Sequence, residues 1–352
     1  MAVRRRATKE IIAHWPELIR QNGSAAESRR NSNMNFKMLI VILLLSLSAT
    51  AQTNKPSRKM AVTFDDLPYV AAGQSPDLPN AQRATKEILR VLQTHRVPVV
   101  AFVNEGKLQV TGEVDARIAL LQQWVDAGMI LGNHTYSHPD FNALTVEQFQ
   151  DEIIKGEVVT RRLMQSHQPY QLYFRHPMTH TGDTQAKKEA IESFLAARCY
   201  KVTPHTIENS DFIFNVGYVR ALRHEDEAMA KRLRQAYLDF TMAATEFAER
   251  ISLQIFGREI TQTLLLHAND VNADYLEEML RRFAGRGYRF VTLDEAMSDP
   301  AYETKDAYVS QFGPTWLWRW MKSKGMEVTL IHHLIWKFAE SWPVAPDSAC
   351  TC

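Results

Sequence analysis

The sequence predicts an α/β fold whose parallel strands curl into a barrel, and two features point to it. Short apolar runs alternate with longer stretches of helical periodicity, the pattern of repeated βα units feeding a parallel sheet. Charged and imidazole side chains, namely Asp65, Asp66, His134, Arg175 and His267, fall just past the predicted strands. In barrels that end of the sheet gathers the functional side chains, and about seven or eight strands so equipped favour a barrel over an open sheet.

Taken in order, Lys59–Phe64 reads as a buried strand and leads into a Pro/Gly-rich loop through Pro79. Between 81 and 94, Ala84, Ile88, Val91 and Leu92 recur at helical spacing. Val97–Val103 is a second strand, and a helix over 114–127 stops at Gly128. A short strand at Met129–Leu131, a helix over Thr145–Ser166 and a strand at Gln171–Phe174 follow. Beyond them come a helix near 184–197, short strands near 199–203 and 212–216, and a helical stretch over 223–256. Strand Thr263–Leu266, helix 273–284 and strand Tyr288–Val291 complete the pattern, with no internal repeat.

The chain of 352 residues is 45% hydrophobic and 23% charged, the balance of an ordinary globular protein able to bury a core without disulfides. Its 41 basic and 40 acidic side chains leave a net charge of +1, which is not the footprint of a nucleic-acid binder. The three cysteines, Cys199, Cys350 and Cys352, form neither a zinc-knuckle nor a redox spacing. Near the N-terminus, Met34-Asn-Phe-Lys-Met precedes an apolar run ending at Leu47, and Ala49-Thr-Ala51 follows. A positive start, a short apolar stretch and a small-x-small site make a secretory signal over 34–51. The run is shorter than the ~20 residues that span a bilayer, so no stable membrane span is expected once the signal is removed. Translation is expected to begin at Met34, leaving 1–33 outside the working protein. The expected location is periplasmic or extracellular. Residues 52–58 read as a linker, 59–299 as the barrel and 300–352 as a C-terminal extension.

Several local patterns carry chemistry. Thr63-Phe-Asp65-Asp66 puts two carboxylates at a strand end, where adjacent side chains of an extended chain point opposite ways and so take different jobs. Alone, such a pair is no more than a solvated loop. Asn133-His134-Thr-Tyr-Ser-His138 spaces two imidazoles four apart, and on a helical turn they would share a face and grip one metal ion. With a carboxylate from another strand they make a two-His-one-carboxylate set that leaves coordination positions open. Phe174-Arg175-His176-Pro177 fixes a guanidinium at a strand end, where a bidentate contact would orient a carboxylate; a surface salt bridge is the equal alternative. Leu264-Leu265-Leu266-His267 ends an apolar run in an imidazole, either a satisfied core group or a general acid.

In this order the elements resemble those of the polysaccharide deacetylase family, the NodB-like carbohydrate esterases of family four, from about residue 59 to 297. Thr63–Asp66 resembles its first motif, and His134–His138 resembles the second, H-[ST]-x-x-H. Arg175 with Pro177 resembles the third, Asp211-Phe212 stands where Asp-Trp is commoner, and Leu265-x-His267 resembles the fifth. The departures are Met178–Gly182 in place of a short Tyr-Gly ending, Phe212 in place of tryptophan, and the long helical stretch before the last motif. The resemblance implies a distorted (β/α)7-type barrel, here with a helical, Trp-rich C-terminal extension. It implies that Asp66, His134 and His138 hold a divalent metal, with Zn²⁺ expected first and Co²⁺, Ni²⁺ or Mn²⁺ as alternatives.

On that resemblance the expected activity is hydrolysis of N-acetyl groups on an amino-sugar polymer or oligomer, chitin-like or peptidoglycan-like. Asp65 would be the base and His267 the acid, with Arg175 orienting Asp65 and Asp211 supporting His267. A backbone N–H near Met178, following Pro177, would face the oxyanion, and Leu265 and Phe212 would wall an acetyl pocket. His176, His180 and Asp270 lie close to these motifs without an assigned role. Alternatives are an amidase for a small cyclic amide or imide, an O-acetyl esterase on xylan, and a non-catalytic glycan-binding protein on the same scaffold. Trp316, Trp318, Trp320, Trp336 and Trp342 of the tail, with Tyr302 and Tyr308, either stack on sugar rings or pack against the barrel, and packing is the stronger reading.

Overall fold

Strand β1 (Arg58–Leu67) runs through the middle of the protein and pairs on both edges. The computed structural model describes residues 58–72, 77–167 and 170–326, all inside one compact unit, Lys55–Cys352. β1 lies parallel to β2 (Val99–Val103) on one edge and to β7 (Gln262–His267) on the other. Beyond β2 follow β3 (Ile130–Asn133), β4 (Leu172–Phe174) and β5 (Tyr200–Val202), and beyond β7 lies β6 (Ile207–Glu208). β8 (Tyr288–Phe290) pairs with Arg58–Met60 at the start of β1. Met60 faces Gln262 and Phe290 at once, so β8 shares the β2 edge.

Chain length forces this sheet to curl. β5 and β6 end opposite sides of the sheet path, yet only residues 203–206 separate them in sequence. Six strand gaps of ~4.8 Å would hold flat edges about 29 Å apart, whereas that link reaches at most ~18 Å. Its backbone continues the pairing at both ends, Thr203 N–H donating to Phe174 O (2.8 Å) and Thr206 N–H to Thr263 O (2.9 Å). The result is a parallel α/β barrel closed by the chain rather than by a ladder between β5 and β6.

Alternation along each strand sorts the side chains. Met60, Val62 and Phe64 of β1 face the outer core with Leu264 and Leu266 of β7. That core is covered by α1 (Leu78–His95), α2 (Val114–Asp126), α6 (Asp211–Arg223), α7 (Glu227–Phe256) and α8 (Asp270–Gly285). Ala61 instead faces inward among Val100, Phe102, Tyr173 and Val291, and Leu293 and Ala296 of α9 (Leu293–Met297) plug that end. Along the inner face β1 then passes from Ala61 to Thr63 to Asp65, so the barrel interior goes from apolar to charged toward the strand C-termini. α3 (Val146–Lys155), α4 (Val158–Met164) and α5 (Gln185–Ala197) complete the wall beside β3–β5.

Three expectations change. The helix expected over 145–166 is two helices, α3 and α4, broken at Gly156, because this residue packs against the loop after β3. The strand expected near 212–216 lies inside α6: Phe214, Tyr218 and Ala221 are buried at helical spacing, which outweighs the β-like run of aromatic and branched residues. The stretch expected over 223–256 is therefore the end of α6 plus α7. In the tail, α10 (Trp316–Ser323) buries Trp316 and Trp320, the latter edge-on to Tyr302 and Phe256 at 5.4 and 5.7 Å. These tryptophans pack on the barrel. The expected signal at 34–51, Trp336, Trp342, Cys350 and Cys352 lie outside the described residues.

A Cβ on Gly156 would stand 2.5 Å from Thr135 C and 2.8 Å from Tyr136 N, both backbone atoms of the loop between His134 and His138. Gly156→Ala should therefore destabilise the fold by roughly 1–3 kcal/mol, read as a lowered urea midpoint. An unchanged midpoint would show that the loop yields freely.

Candidate metal centre

The candidate site forms because one strand bends where it should stay straight. Asp66 adopts φ 68°, and the pairing of β1 with β2 shifts register between Phe64 and Leu67. Such a bulge re-aims a side chain. The opposite pointing expected for Asp65 and Asp66 is thus corrected: both carboxylates reach the same imidazole, with Asp65 Oδ2 3.9 Å and Asp66 Oδ1 3.6 Å from His134 Nε2.

The two histidines do not sit on a helical turn either. Residues 134–138 are a loop, with Thr135 at φ 68° and His138 at φ 57°. Helix α3 holds it, Tyr136 N–H donating to Glu152 O and Ser137 N–H and Oγ donating to Glu152 Oε2. Asn133 Oδ1 accepts from Thr135 N–H (2.7 Å), and Asn104 Nδ2 donates to His134 O (2.5 Å). The bend brings the two imidazole centroids to 5.0 Å, at 65° to each other.

His134 Nε2, His138 Nε2 and Asp66 Oδ1 lie within 4.8 Å of one another. Asp66 Oδ1 is 3.6 and 3.5 Å from the two nitrogens, too far for hydrogen bonds. It is buried and has no hydrogen-bond partner among the described residues. Ligands ~2.1 Å from a tetrahedral ion stand about 3.4 Å apart, so the set fits a divalent cation. His134 Nδ1 lies 2.8 Å from Arg175 O, an acceptor only, which places the proton on Nδ1 and leaves the Nε2 lone pair toward Asp66. Burial, then the neighbouring His138, hold His134 well below the ordinary imidazole range, so it is neutral, as a ligand must be. Burial works against ionising Asp66, but the fields of His138, Lys107 and His134 outweigh it and keep the carboxyl far below its usual range.

Beside this set Asp65 is buried against Arg175, whose Nη1 donates to Asp65 Oδ1 (2.8 Å) and to Thr63 Oγ1 (2.7 Å). In place of the bidentate contact expected, one nitrogen, Nη1, donates to two acceptors, only one of them the carboxylate. The guanidinium lies over the Phe102 ring at 4.5 Å, and its Nε donates to Thr203 O at 3.4 Å. Burial pushes the Asp65 carboxyl up, against the pull of Arg175 and His267. Across the β1–β7 ladder Asp65 is in register with His267, and Thr63 with Leu265, so these four share the inner face. His267 is clasped by Asp211 at the first turn of α6: Oδ1 meets Nδ1 at 2.6 Å and Oδ2 accepts the backbone N–H at 2.6 Å. Phe212 sets its ring near-perpendicular to His267 at 5.7 Å. Pro177 and Met178 open a short turn directly after Arg175, with Met178 at φ 51° and Thr179 at φ 54°.

Every candidate residue thus lies at the C-terminal end of the sheet. Two neighbours, Asn104 and Lys107, had no motif to announce them. Lys107 places its ammonium 3.4 Å from Asp66 Oδ2 and 3.1 Å from Asp66 O. Asn104 carries the hydrogen bond given above. Asn104 and Lys107 follow a predicted strand, and that position was the available signal. Of the unassigned residues, His176 is buried between Phe149 and Phe174, His180 pairs with Asp140 at 2.7 Å, and Asp270 takes Arg83 at 2.6 Å and the Tyr69 hydroxyl.

Burial alone would lower the His267 pKa, but Asp211, with Asp66 and Asp65, raises it from 6.5 to about 9. A raised folded-state value stabilises the fold fully below the unfolded pKa and ceases to do so as pH rises through the folded one. From pH 6.5 to about 9 the metal-free protein should lose on the order of 3 kcal/mol of unfolding free energy through this group. Urea titrations across that range should show the loss in the parent and much less of it in Asp211→Asn; parallel slopes would dismiss the pair as its source.

Residues 52–192 match the family model described as polysaccharide deacetylase. The chain is 31% identical over 105 residues to a peptidoglycan-N-acetylglucosamine deacetylase of Bacillus cereus, a match covering 30% of this chain and 32% of that one. It is 39% identical over 70 residues to the peptidoglycan-N-acetylmuramic acid deacetylase PdaA of Bacillus subtilis, covering 20% and 24%. These matches span a third or less of either relative. The solved structure of Bacillus subtilis PdaA, a family 4 carbohydrate esterase, superposes with a TM-score of 0.44 at 20% identity, over 72% of this chain and 84% of that one. No helix among the described residues is long and apolar enough to cross a membrane. The likeness to polysaccharide deacetylases thus covers residues 52–192, less than half of the chain.

Proposed function

We propose that the chain is a metal-dependent hydrolase that removes N-acetyl groups from an amino-sugar polymer or oligomer, with the reaction carried by the barrel at 59–299. One observation carries the reading: a metal-competent Asp66–His134–His138 set stands beside a buried carboxylate on an arginine, Asp65–Arg175, and a partly buried imidazole on a carboxylate, His267–Asp211. A carboxylate and an imidazole side by side at one metal-competent set are the pair that acid–base hydrolysis requires.

A divalent ion at the three ligands, Zn²⁺ by its preference for nitrogen and carboxylate donors at an open site, supplies positive charge that acidifies water and polarises the acetyl carbonyl. Asp65 takes a proton from the attacking water as its oxygen bonds to the carbonyl carbon. Arg175 and Thr63 keep the Asp65 carboxylate turned to that task. The Met178 amide, in the turn after Arg175, donates to the developing oxyanion. As the carbon–nitrogen bond breaks, His267 gives the Nε2 proton to the sugar amine and keeps its Nδ1–H, donated to Asp211 Oδ1. Acetate and a free amine result. Leu265, on the inner face, and Phe212, beside His267, would wall the place of the acetyl methyl. The expected export signal would deliver the protein to where such polymers lie outside the cytoplasm.

Incubation of the chain from Gln52 with N-acetylated chitin and peptidoglycan fragments and Zn²⁺ or Co²⁺ should release acetate. Release from O-acetylated xylan alone would turn the reading to an esterase, and glycan binding without release would turn it to a lectin-like role. Asp65→Asn should lower kcat by at least ~10³-fold with metal content intact; wild-type turnover in that variant would remove Asp65 as the base. His134→Ala should lose bound zinc, as read by elemental analysis after dialysis, and stoichiometric zinc would remove it from the ligand set.

A further inference from the structure

We propose that Arg319 in the C-terminal tail is a positioning residue for this reaction, clamping the turn at 177–182 in the conformation the site uses. The inference rests on the hydrolase reading for its effect on rate, but the clamp itself stands on geometry.

The turn is a strained one. Met178 and Thr179 both have left-handed backbones, which side chains beyond glycine adopt only where the surroundings hold them. Its own hydrogen bonds are few: Thr179 N–H to His176 O and His180 N–H to Pro177 O. His180 is tied to Asp140 and Asn142 at 2.7 and 3.0 Å, and further hold on Thr179 and Thr181 comes from a distant part of the chain. Arg319 is buried, and its guanidinium donates to Thr179 O through Nη2, to Thr181 Oγ1 through Nη1 (2.9 Å) and to Pro314 O through Nε (3.1 Å). Asp306 balances the charge at 3.1 Å and also takes Lys188 of α5 at 2.7 Å. The Trp316 and Tyr308 rings lie 4.6 and 5.3 Å from the guanidinium carbon. Gly313 seats against the same turn: a Cβ there would fall 1.9 Å from Met178 O, and the Thr179 hydroxyl donates to Gly313 O. Trp316 N–H donates to His205 O, which fixes the start of α10 to the β5–β6 link.

One fork of donors therefore reads the carbonyl and hydroxyl of two turn residues that follow the Met178 amide. Burying a guanidinium is costly, and its bonds to Thr179, Thr181, Pro314 and Asp306 offset that cost. Without it the turn is free to leave the left-handed region, and the Met178 amide leaves with it.

The test compares Arg319→Met, Arg319→Lys and Trp320→Leu, the last loosening the tail against Phe256 and Tyr302 without touching the turn. Amide exchange at Thr179 and His180 should accelerate by about tenfold or more in Arg319→Met, with Tyr136 unchanged. On an acetylated glycan, Arg319→Met should lose about tenfold or more in kcat with KM and zinc content near wild type, and Arg319→Lys should recover part of it. Trp320→Leu should melt earlier yet keep kcat within about twofold well below its melting temperature. Unchanged exchange at Thr179 and His180 in Arg319→Met would overturn the clamp. Equal kcat losses in Trp320→Leu and Arg319→Met would reduce Arg319 to a stability role. If the wild-type chain releases no acetate, the hydrolase reading fails, and the exchange data alone decide the clamp.

Discussion

A buried carboxylate oxygen that stands 3.5–3.6 Å from two imidazole nitrogens and accepts no hydrogen bond is unfavourable unless something offsets it. Most of what surrounds Asp66 Oδ1 serves to keep it there. The bulge at Asp66 turns the side chain inward, and Lys107 takes the other oxygen. The Arg175 carbonyl fixes the His134 tautomer, while α3 pins the loop that bends His138 back toward His134. A divalent cation among these atoms would satisfy the carboxylate and both lone pairs at once.

The barrel makes this possible through register. In-register parallel pairing places Asp65 beside His267 on one inner face, and the shortness of the 203–206 link brings the far edge of the sheet round to them. Arg175 then crosses the interior to Asp65 with its guanidinium over Phe102. The inner face is apolar where α9 plugs it and charged only at the open end, so desolvation acts on the acid–base groups without leaving charge buried at the bottom.

The tail belongs to the site as much as to the fold. Trp316 and Trp320 pack on the barrel, and Arg319 and Gly313 reach the turn after Arg175. The longer loop Met178–Gly182, which departs from the commoner short ending, is the segment the tail holds. The departure and the extension make one structural unit.

The sequence by itself determined the alternation of strands and helices, the strand-end position of Asp65, Asp66, His134, Arg175 and His267, and the pairing of these residues with a known family. Those features are local: period, apolar runs and short motifs survive in one dimension. Tertiary structure decided the rest. Asp211 opens a helix rather than leading into a strand, because burial of Phe214 and Tyr218 at helical spacing overrides the local preference of 212–216. His134 and His138 meet through two left-handed residues, not a helical turn, since the helix that could have carried them instead anchors their loop through Glu152. Arg319, 140 positions from Thr179, could be tied to the site only by folding, because nothing in spacing or composition marks which buried cation a distant carbonyl will take.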